Sequence, residues 1–186
     1  MTSIRSLRPN VTRDEAIQLF HATGPARLLR DLSWGPLRSV AEVYIPFHLF
    51  QVGIQNRGRA EQCLLGLDAV AGTLDLYQFQ HLPTDPETVC LETRNCPAPR
   101  LPPERTSELV LAKLRRILYG RGFFRMRDLH LSAAPLPGEL HIPYWLAFRG
   151  SGQGTHVVVL DAVRRRTEGA KVRRLIEAWL LDVAEP

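Results

Sequence analysis

The chain has 186 residues, of which 45% are hydrophobic and 23% charged, and these values are typical of a soluble globular protein. They exclude a disordered tail, a collagen, a coiled-coil rod and a disulfide-dense miniprotein, and the length allows one large or two small domains. The net charge is +5, with 24 basic residues, and all but two of these are arginines, a bias that a GC-rich genome explains as well as phosphate recognition does.

The first predicted elements are a helix and a strand. Thr12 and Glu15 have the spacing of a capping box, and Gly24 is a suitable stop signal, so a helix is predicted between them. Alternating apolar residues predict a strand over 43–49. Pro46 has no amide hydrogen, which predicts either an edge strand or a bulge at that point.

The rest of the first half continues this sheet. A polar turn over 55–59 and a return strand over 63–67 predict a hairpin. A tight turn is predicted to begin at Asp68, and a third strand follows over 73–79. Residues 80–105 contain six prolines, which predicts a linker or a long wrapped connection.

The second half repeats this order. A capped helix is predicted over 106–120, with its apolar residues at the spacing of a buried helix face. A strand through Pro143 and a return strand over 156–160 predict a second hairpin. Helical spacing of apolar residues then predicts a closing helix over 168–181.

The two halves are also alike in sequence. Residues 30–50 and 127–147 align without gaps and share seven identical residues, and Leu-Asp-Ala-Val occurs at both 67–70 and 160–163. We interpret this as a tandem duplication with an α+β fold, in which each unit is a helix packed on an antiparallel β-sheet in a pseudo-twofold arrangement. The predicted boundaries are 1–82 for repeat one, 83–105 for the Pro-rich connection, and 106–186 for repeat two with its C-terminal helix.

A family resemblance follows from two segments of repeat one. The segment Glu15-Ala16-Ile17 in the helix and the segment from Leu67 to Leu74, with its Asp-Ala-Val-Ala-Gly turn, resemble the PepSY-type small α+β module. A cystatin-like arrangement, with a helix cradled by an antiparallel sheet, satisfies the same pattern. The resemblance implies a non-enzymatic module that binds or inhibits other proteins, often outside the cytoplasm.

Targeting and cysteine patterns favour a cytoplasmic protein. The first ten residues lack the apolar core of a secretory signal, and apolar runs such as 157–160 are far too short to span a bilayer. The three cysteines, Cys63, Cys90 and Cys96, have neither a zinc-site nor a redox spacing. We therefore predict no metal and no cofactor.

Motifs that suggest catalysis have structural explanations. Asp68 and Asp161 occupy matched positions, as an acid–base pair would, but an aspartate that opens a tight turn bonds its own backbone. Asp31 and Asp128 are interpreted as local caps or local pairs, and the glycine-rich segment 150–154 as a hairpin turn, because a phosphate loop must lead into a helix. This favours a protein that is not an enzyme.

The second face of the predicted strands is unusually aromatic. It carries His48 and His141, which are predicted to lie on the side away from the helix, together with Tyr44, Phe50 and Trp145. Such a face is not a solvent face. It is buried within the chain or in a homodimer interface, or it is a ligand or peptide site.

Charge is uneven along the chain. Residues 1–99 hold nine arginines against ten acidic residues, whereas residues 100–186 hold 15 basic against nine acidic residues. A basic patch of this kind could bind nucleic-acid phosphates, although a solvated basic face is the other explanation. The candidate phosphate-binding residues are Arg115, Arg116, Arg164, Arg165 and Arg166.

The sequence therefore predicts a non-enzymatic binding or regulatory protein. Its ligand, a protein or a small molecule, is unknown, and the site is either the aromatic sheet face or a cleft between the repeats. The alternative is a nucleic-acid-associated protein that uses the basic second repeat. A homodimer is a further possible partner arrangement.

Overall fold

The computed structural model describes residues 1–21, 34–120, 128–151 and 154–184. The fold is α+β, as predicted, and the described residues form three α-helices and an eight-stranded sheet. The helices are α1 (Arg13–Phe20), α2 (Pro103–Gly120) and α3 (Ala170–Ala184). The strands are β1 (Thr2–Leu7), β2 (Leu37–Asn56), β3 (Arg59–Asp68), β4 (Tyr77–Phe79), β5 (Thr88–Thr93), β6 (His130–Ser151), β7 (Gly154–Asp161) and β8 (Arg166–Thr167). The strand order is β4-β3-β2-β6-β1-β5, and β7 pairs with β6 and β8.

The predicted start of α1 is confirmed. The Glu15 amide donates to the Thr12 hydroxyl at 3.3 Å, and the Thr12 amide donates to the Glu15 carboxylate at 2.8 Å, so both halves of the capping box are formed. The helix ends at Phe20, because His21 is in an extended conformation. The predicted stop at Gly24 and the predicted cap at Asp31 lie outside the described residues.

Both predicted hairpins are confirmed, with longer strands than the sequence predicted. In the β2–β3 ladder, Asn56 pairs with Arg59 next to the turn and Phe47 pairs with Asp68 at the far end. Arg57 and Gly58 in the turn have φ angles of 53° and 74°, which is the type I′ geometry that matches the twist of paired strands. In the β6–β7 ladder, Ser151 pairs with Gly154 and Tyr144 pairs with Asp161, so the two strands form a hairpin. Residues 152 and 153 of the predicted turn lie outside the described residues.

The edge-strand alternative for Pro46 is wrong, since β2 lies between β3 and β6 in the sheet. Pairing of β2 with β3 ends at Phe47–Asp68, so the missing amide of Pro46 falls just outside that ladder. Its carbonyl instead accepts a hydrogen bond from the Ala69 amide at 2.8 Å. A strand can therefore carry a proline in the middle of a sheet if the proline stands where one partner stops.

The third strand and the connection differ from prediction. The strand predicted over 73–79 is only β4, because the Leu74 amide donates to the Asp68 carboxylate at 2.8 Å and is not free to pair. The Pro-rich connection contains β5, which lies beside β1. The sequence did not predict β1, because its buried positions include the polar Ser6 as well as the apolar Ile4.

The chain divides into two compact units. Unit 1 comprises Met1–Ile45, Val89–Pro97 and Ile142–Pro186, and unit 2 comprises Pro46–Thr88 and Ala98–His141. Each unit thus draws on both predicted repeats, and the repeat boundaries, which concern the sequence duplication, stay a prediction. The unit 1 core contains Val11, Ala16, Phe20, Trp145, Ala147, Leu160 and Ala162. The unit 2 core contains Phe50, Val52, Leu65, Leu67, Val110 and Leu114.

Candidate functional site

The aromatic residues of the predicted site are all buried. Phe50 packs with Val110 of α2 in unit 2, and Trp145 packs with Phe20 of α1 in unit 1. The prediction placed this face away from the helix of its own repeat, and in both units the helix that covers the face belongs to the other predicted repeat. Alternation separates two strand faces but cannot say which face a helix covers when both are apolar. Tyr44, His48, Phe50, His141 and Trp145 are between 0% and 8% exposed.

Two of these rings make the same kind of hydrogen bond. The Trp145 indole N–H donates to the Val11 carbonyl oxygen at 2.9 Å, two residues before α1. The His48 Nε2 lies 2.9 Å from the Leu101 carbonyl oxygen, two residues before α2, and a carbonyl can only accept the bond. Each ring therefore fixes the backbone that leads into a helix.

The remaining residues of the predicted aromatic site are divided between the units. Tyr44 lies in unit 1, where burial and then Glu42 raise the pKa of its hydroxyl. His141 lies in unit 2. His48 also borders an open cavity of about 420 Å³ together with residues 135–139. A ligand-binding role for these residues stays a prediction.

The two matched aspartates organise turns, as predicted. The Asp68 carboxylate accepts bonds from the Ala71, Gly72 and Leu74 amides, each at 2.8 Å. Gly72 has a φ of 66°, a conformation that glycine adopts at little cost. Backbone bonding accounts for every bond found for this carboxylate, so the turn role is confirmed.

Asp161 organises its turn with one oxygen only. Its Oδ1 accepts bonds from the Val163 and Arg164 amides at 2.8 Å. Its Oδ2 is buried and has no hydrogen-bond partner among the described residues. Burial raises the pKa of Asp161, and the two amides partly offset this effect.

The candidate phosphate-binding arginines lie in both units. Arg115 and Arg116 are exposed on α2 in unit 2, whereas residues 164–166 follow β7 in unit 1. The Arg165 guanidinium lies 3.4 Å from the Glu15 carboxylate, and the Arg166 guanidinium lies 2.9 Å from the Glu168 carboxylate. Part of the local positive charge is therefore neutralised by neighbours, and the nucleic-acid hypothesis stays a prediction.

A cleft that the sequence did not reveal lies in unit 2. It has a volume of about 570 Å³ and opens between the β2–β3 hairpin and the last turns of α2. Leu65 and Leu114 are buried in it, whereas Ile117 is 41% exposed at its rim. The lining residues are Ile54, Asn56, Arg59, Glu61, Cys63, Leu65, Leu76, Gln78, Leu114, Ile117 and Leu118.

The cleft combines segments that are distant in sequence. Eight lining residues lie within 54–78, in predicted repeat one, and three lie within 114–118, in predicted repeat two. The one sequence signal was the apolar stripe of the second helix, which continues to Ile117 and Leu118. That stripe was interpreted as core, and only the packing shows that the hairpin leaves its last turn partly uncovered.

Cys63 places a thiol in the lining of the cleft. Burial and then the neighbouring Glu61 carboxylate raise the pKa of its thiol. A catalytic cysteine needs a lowered pKa, because the thiolate is the nucleophile. The surroundings of Cys63 therefore disfavour nucleophilic catalysis.

In the described ranges, no group of three or more His, Cys, Asp or Glu side chains is placed to hold a metal ion. No described helix combines the length and the apolar character needed to cross a membrane. No protein-family model, no curated protein and no solved structure matches this chain.

Proposed function

We propose that this protein is a non-enzymatic binding protein and that the unit 2 cleft is its ligand site. The observation that carries the proposal is the cleft of about 570 Å³, a size within the range of roughly 300–1,000 Å³ that small-molecule sites occupy. We propose that this cleft is the predicted cleft between the repeats, because residues of both predicted repeats line it. We also propose that the protein is cytoplasmic.

The chemistry of the lining indicates the class of ligand. The inner wall is aliphatic, with Leu65, Leu76 and Leu114 in it, and no aromatic side chain among the described residues lines the cleft. The polar groups include Arg59 and Glu61, which have opposite charges and stand two residues apart near the hairpin turn. This favours an aliphatic molecule with a polar head that carries no net charge.

A binding role is favoured over catalysis by the state of the polar groups. Burial and then Glu61 raise the pKa of the Cys63 thiol, which disfavours its thiolate form, and the Asp68 carboxylate is bonded to backbone amides. General acid–base or nucleophilic catalysis needs an activated group at the site. Neither side chain is in that state.

Protection of Cys63 tests the proposal. In a Cys90→Ser, Cys96→Ser background, Cys63 is the single thiol that a chromogenic disulfide reagent can modify. We expect an alcohol or a monoglyceride with a chain of about eight carbons to slow this reaction and raise the Tm. Octanoate and octylamine should do so less well, because each carries a net charge.

A matched pair of variants completes the test. Ile117→Ser changes an exposed residue of the cleft rim, and Leu181→Ser changes an exposed leucine of α3 in unit 1. We expect Ile117→Ser to weaken protection several-fold and Leu181→Ser to leave it unchanged. Absence of protection by every probe in the unsubstituted protein, or equal loss in both variants, would overturn the proposal.

We also propose that the chain arose by tandem duplication, and that its likeness to PepSY-type or cystatin-like modules lies in the helix-on-hairpin arrangement. Matched contacts support the duplication. The Pro46 carbonyl accepts from the amide that follows Asp68, and the Pro143 carbonyl accepts from the amide that follows Asp161, at 2.8 and 3.1 Å. A test is superposition of residues 46–68 on 143–161 in an experimental structure, and failure of these hairpins to superpose would contradict it.

A further inference from the structure

We infer that each repeat's hairpin is an interaction surface whose partner is the helix of the other repeat. The inference rests on the duplication proposed above and does not depend on the ligand cleft. The partner of each repeat is a second copy of the same helix-and-hairpin repeat, which is carried in the same chain.

In unit 2, the hairpin and the helix come from different predicted repeats. Its hairpin, β2–β3, belongs to repeat one, and its helix, α2, lies almost wholly in repeat two. Phe50 and Leu67 of the hairpin share one buried core with Val110 and Leu114 of the helix. The Lys113 ammonium also donates to the Leu74 carbonyl oxygen, so the helix is bonded to the turn that follows the hairpin.

Unit 1 has the reciprocal arrangement. Its hairpin, β6–β7, belongs to repeat two, and its helix, α1, belongs to repeat one. Ala16 and Phe20 of α1 share one buried core with Trp145 and Leu160 of the hairpin. The Arg149 guanidinium of β6 donates to the carbonyl oxygen of Phe20, the last residue of α1.

The lead-in to each helix is bonded to the other repeat's turn in the same way. The Asn10 amide, three residues before α1, donates to the Ala162 carbonyl oxygen at 2.8 Å. The Arg100 amide, three residues before α2, donates to the Ala69 carbonyl oxygen at 2.8 Å. Ala69 and Ala162 each follow the aspartate that ends a hairpin. Two contacts with the same atoms at matched positions indicate one docking geometry used twice.

The exchange has a physical consequence for a single repeat. Without the helix from the other repeat, the fully buried face of a hairpin, with Phe50, Val52 and Leu67 in unit 2, would be exposed to water. Apolar surface of that kind favours association. The contact is reciprocal, since each copy donates its helix and receives one, as in an isologous pair of chains.

Two reporters in the full-length chain test the exchange. In a Cys90→Ser, Cys96→Ser background, the rate of thiol modification at Cys63 reports whether a helix covers the repeat one hairpin, because Cys63 packs against the unit 2 core. In a Trp34→Phe, Trp179→Phe background, the fluorescence of Trp145 reports whether a helix covers the repeat two hairpin. Leu114→Ala loosens α2, and Phe20→Ala loosens α1.

The inference predicts a crossed pattern. Leu114→Ala should raise the rate of thiol modification at Cys63 about tenfold and leave Trp145 emission unchanged. Phe20→Ala should shift Trp145 emission to longer wavelength and leave the Cys63 rate unchanged. A direct pattern, in which each reporter responds to the helix of its own repeat, would overturn the inference.

Milder variants keep the test decisive. If either alanine variant loses its far-ultraviolet circular dichroism, Leu114→Val and Phe20→Leu replace them, and the same crossed pattern is required. Equal responses of both reporters in variants that remain folded also contradict the inference. The experiment uses no ligand, so the cleft proposal can fail without affecting this one, and the reverse also holds.

Discussion

Units 1 and 2 each contain a helix packed on a hairpin, but they differ at one matched strand position, which is apolar in unit 2 and positively charged in unit 1. Two residues past the gapless alignment of the two halves, the same offset places Val52 opposite Arg149. Val52 is 0% exposed and Arg149 is 1% exposed. Val52 extends the apolar core of unit 2, whereas Arg149 donates to the carbonyl oxygens of Gly35 and Phe20. The same strand position therefore accepts either an apolar side chain or a cation that is bonded to backbone carbonyls.

The lengths of the two helices explain this difference. α1 has eight residues and α2 has 18. Phe20 ends α1, so its carbonyl is one of those that lack a helical partner, and a cation at a helix C-terminus is favourable. α2 instead continues to Ile117 and Leu118, which line the unit 2 cleft. Unit 1 thus uses its strand to cap a short helix, and unit 2 uses a longer helix to build a cleft.

The largest effect is expected at Arg149. Arg149→Val would give unit 1 the residue of unit 2 and leave the carbonyls of Phe20 and Gly35 without this donor. Unsatisfied buried groups and lost volume should lower the free energy of unfolding by about 3–5 kcal/mol. Urea unfolding followed by circular dichroism measures this. A loss of less than about 1 kcal/mol would show that the cap is dispensable.

The two turn aspartates should respond unequally. Asp68→Asn places an amide group against backbone N–H donors, and we expect a loss of about 2–3 kcal/mol. Asp161→Asn retains an acceptor for both amides and replaces an oxygen that has no partner in the described chain, so about 1 kcal/mol is expected. Thermal and urea unfolding of both variants checks the order, and equal losses would remove this distinction between the units.

The pH dependence of stability should reflect the burial of Asp161. Burial raises the pKa of Asp161 above its usual 3.8, so the folded state holds the proton more tightly than the unfolded state. The stability that this side chain contributes is then fully present at low pH and is lost as the pH rises through 3.8 to the raised pKa.

Comparison with a variant isolates this contribution. The stability of the unsubstituted protein relative to Asp161→Asn should fall as the pH rises across that window. Urea unfolding at a series of pH values measures the difference. A difference that rises with pH would mean that the carboxylate is stabilised in its charged form, contrary to its burial.

The smallest expected effect is at Glu61. Its carboxylate contributes to the raised pKa of Cys63, so Glu61→Gln should lower that pKa and increase the thiolate fraction. We expect modification of Cys63 at mildly alkaline pH to become roughly twofold faster. Gln62→Glu, which changes the next residue of β3, is the charge control, and an equal acceleration there would point to altered packing.

Local patterns in the sequence were sufficient for several elements. The capping box at Thr12, the two hairpins and the turn aspartates depend on contacts within a few residues, so their sequence signals are strong. Local signals failed where a residue had a distant partner. The Leu74 amide is taken by Asp68, which shortened the predicted third strand, and Ser6 is buried in β1, where a polar residue hid the alternation.

The candidate site could not be derived in the same way. Alternation along β2 assigned Phe50 and its sequence neighbours to opposite strand faces, but it did not predict that α2 covers the face of Phe50. The cleft needs Cys63 and Leu118, which are far apart in sequence, to line one cavity. Cavities of this kind depend on how much of a helix the sheet covers, and no residue pattern encodes that extent directly.

The sequence by itself determined the α+β class, the order of helix and hairpin in each half and the turn role of the aspartates, because these follow from short-range hydrogen bonding and from apolar periodicity. Only the tertiary structure decided which helix covers which hairpin. Both hairpins present an apolar face and both helices present an apolar stripe, so hydrophobic burial alone is non-directional and fits either pairing. The choice was made by specific distant contacts, such as Trp145 with Val11 and His48 with Leu101.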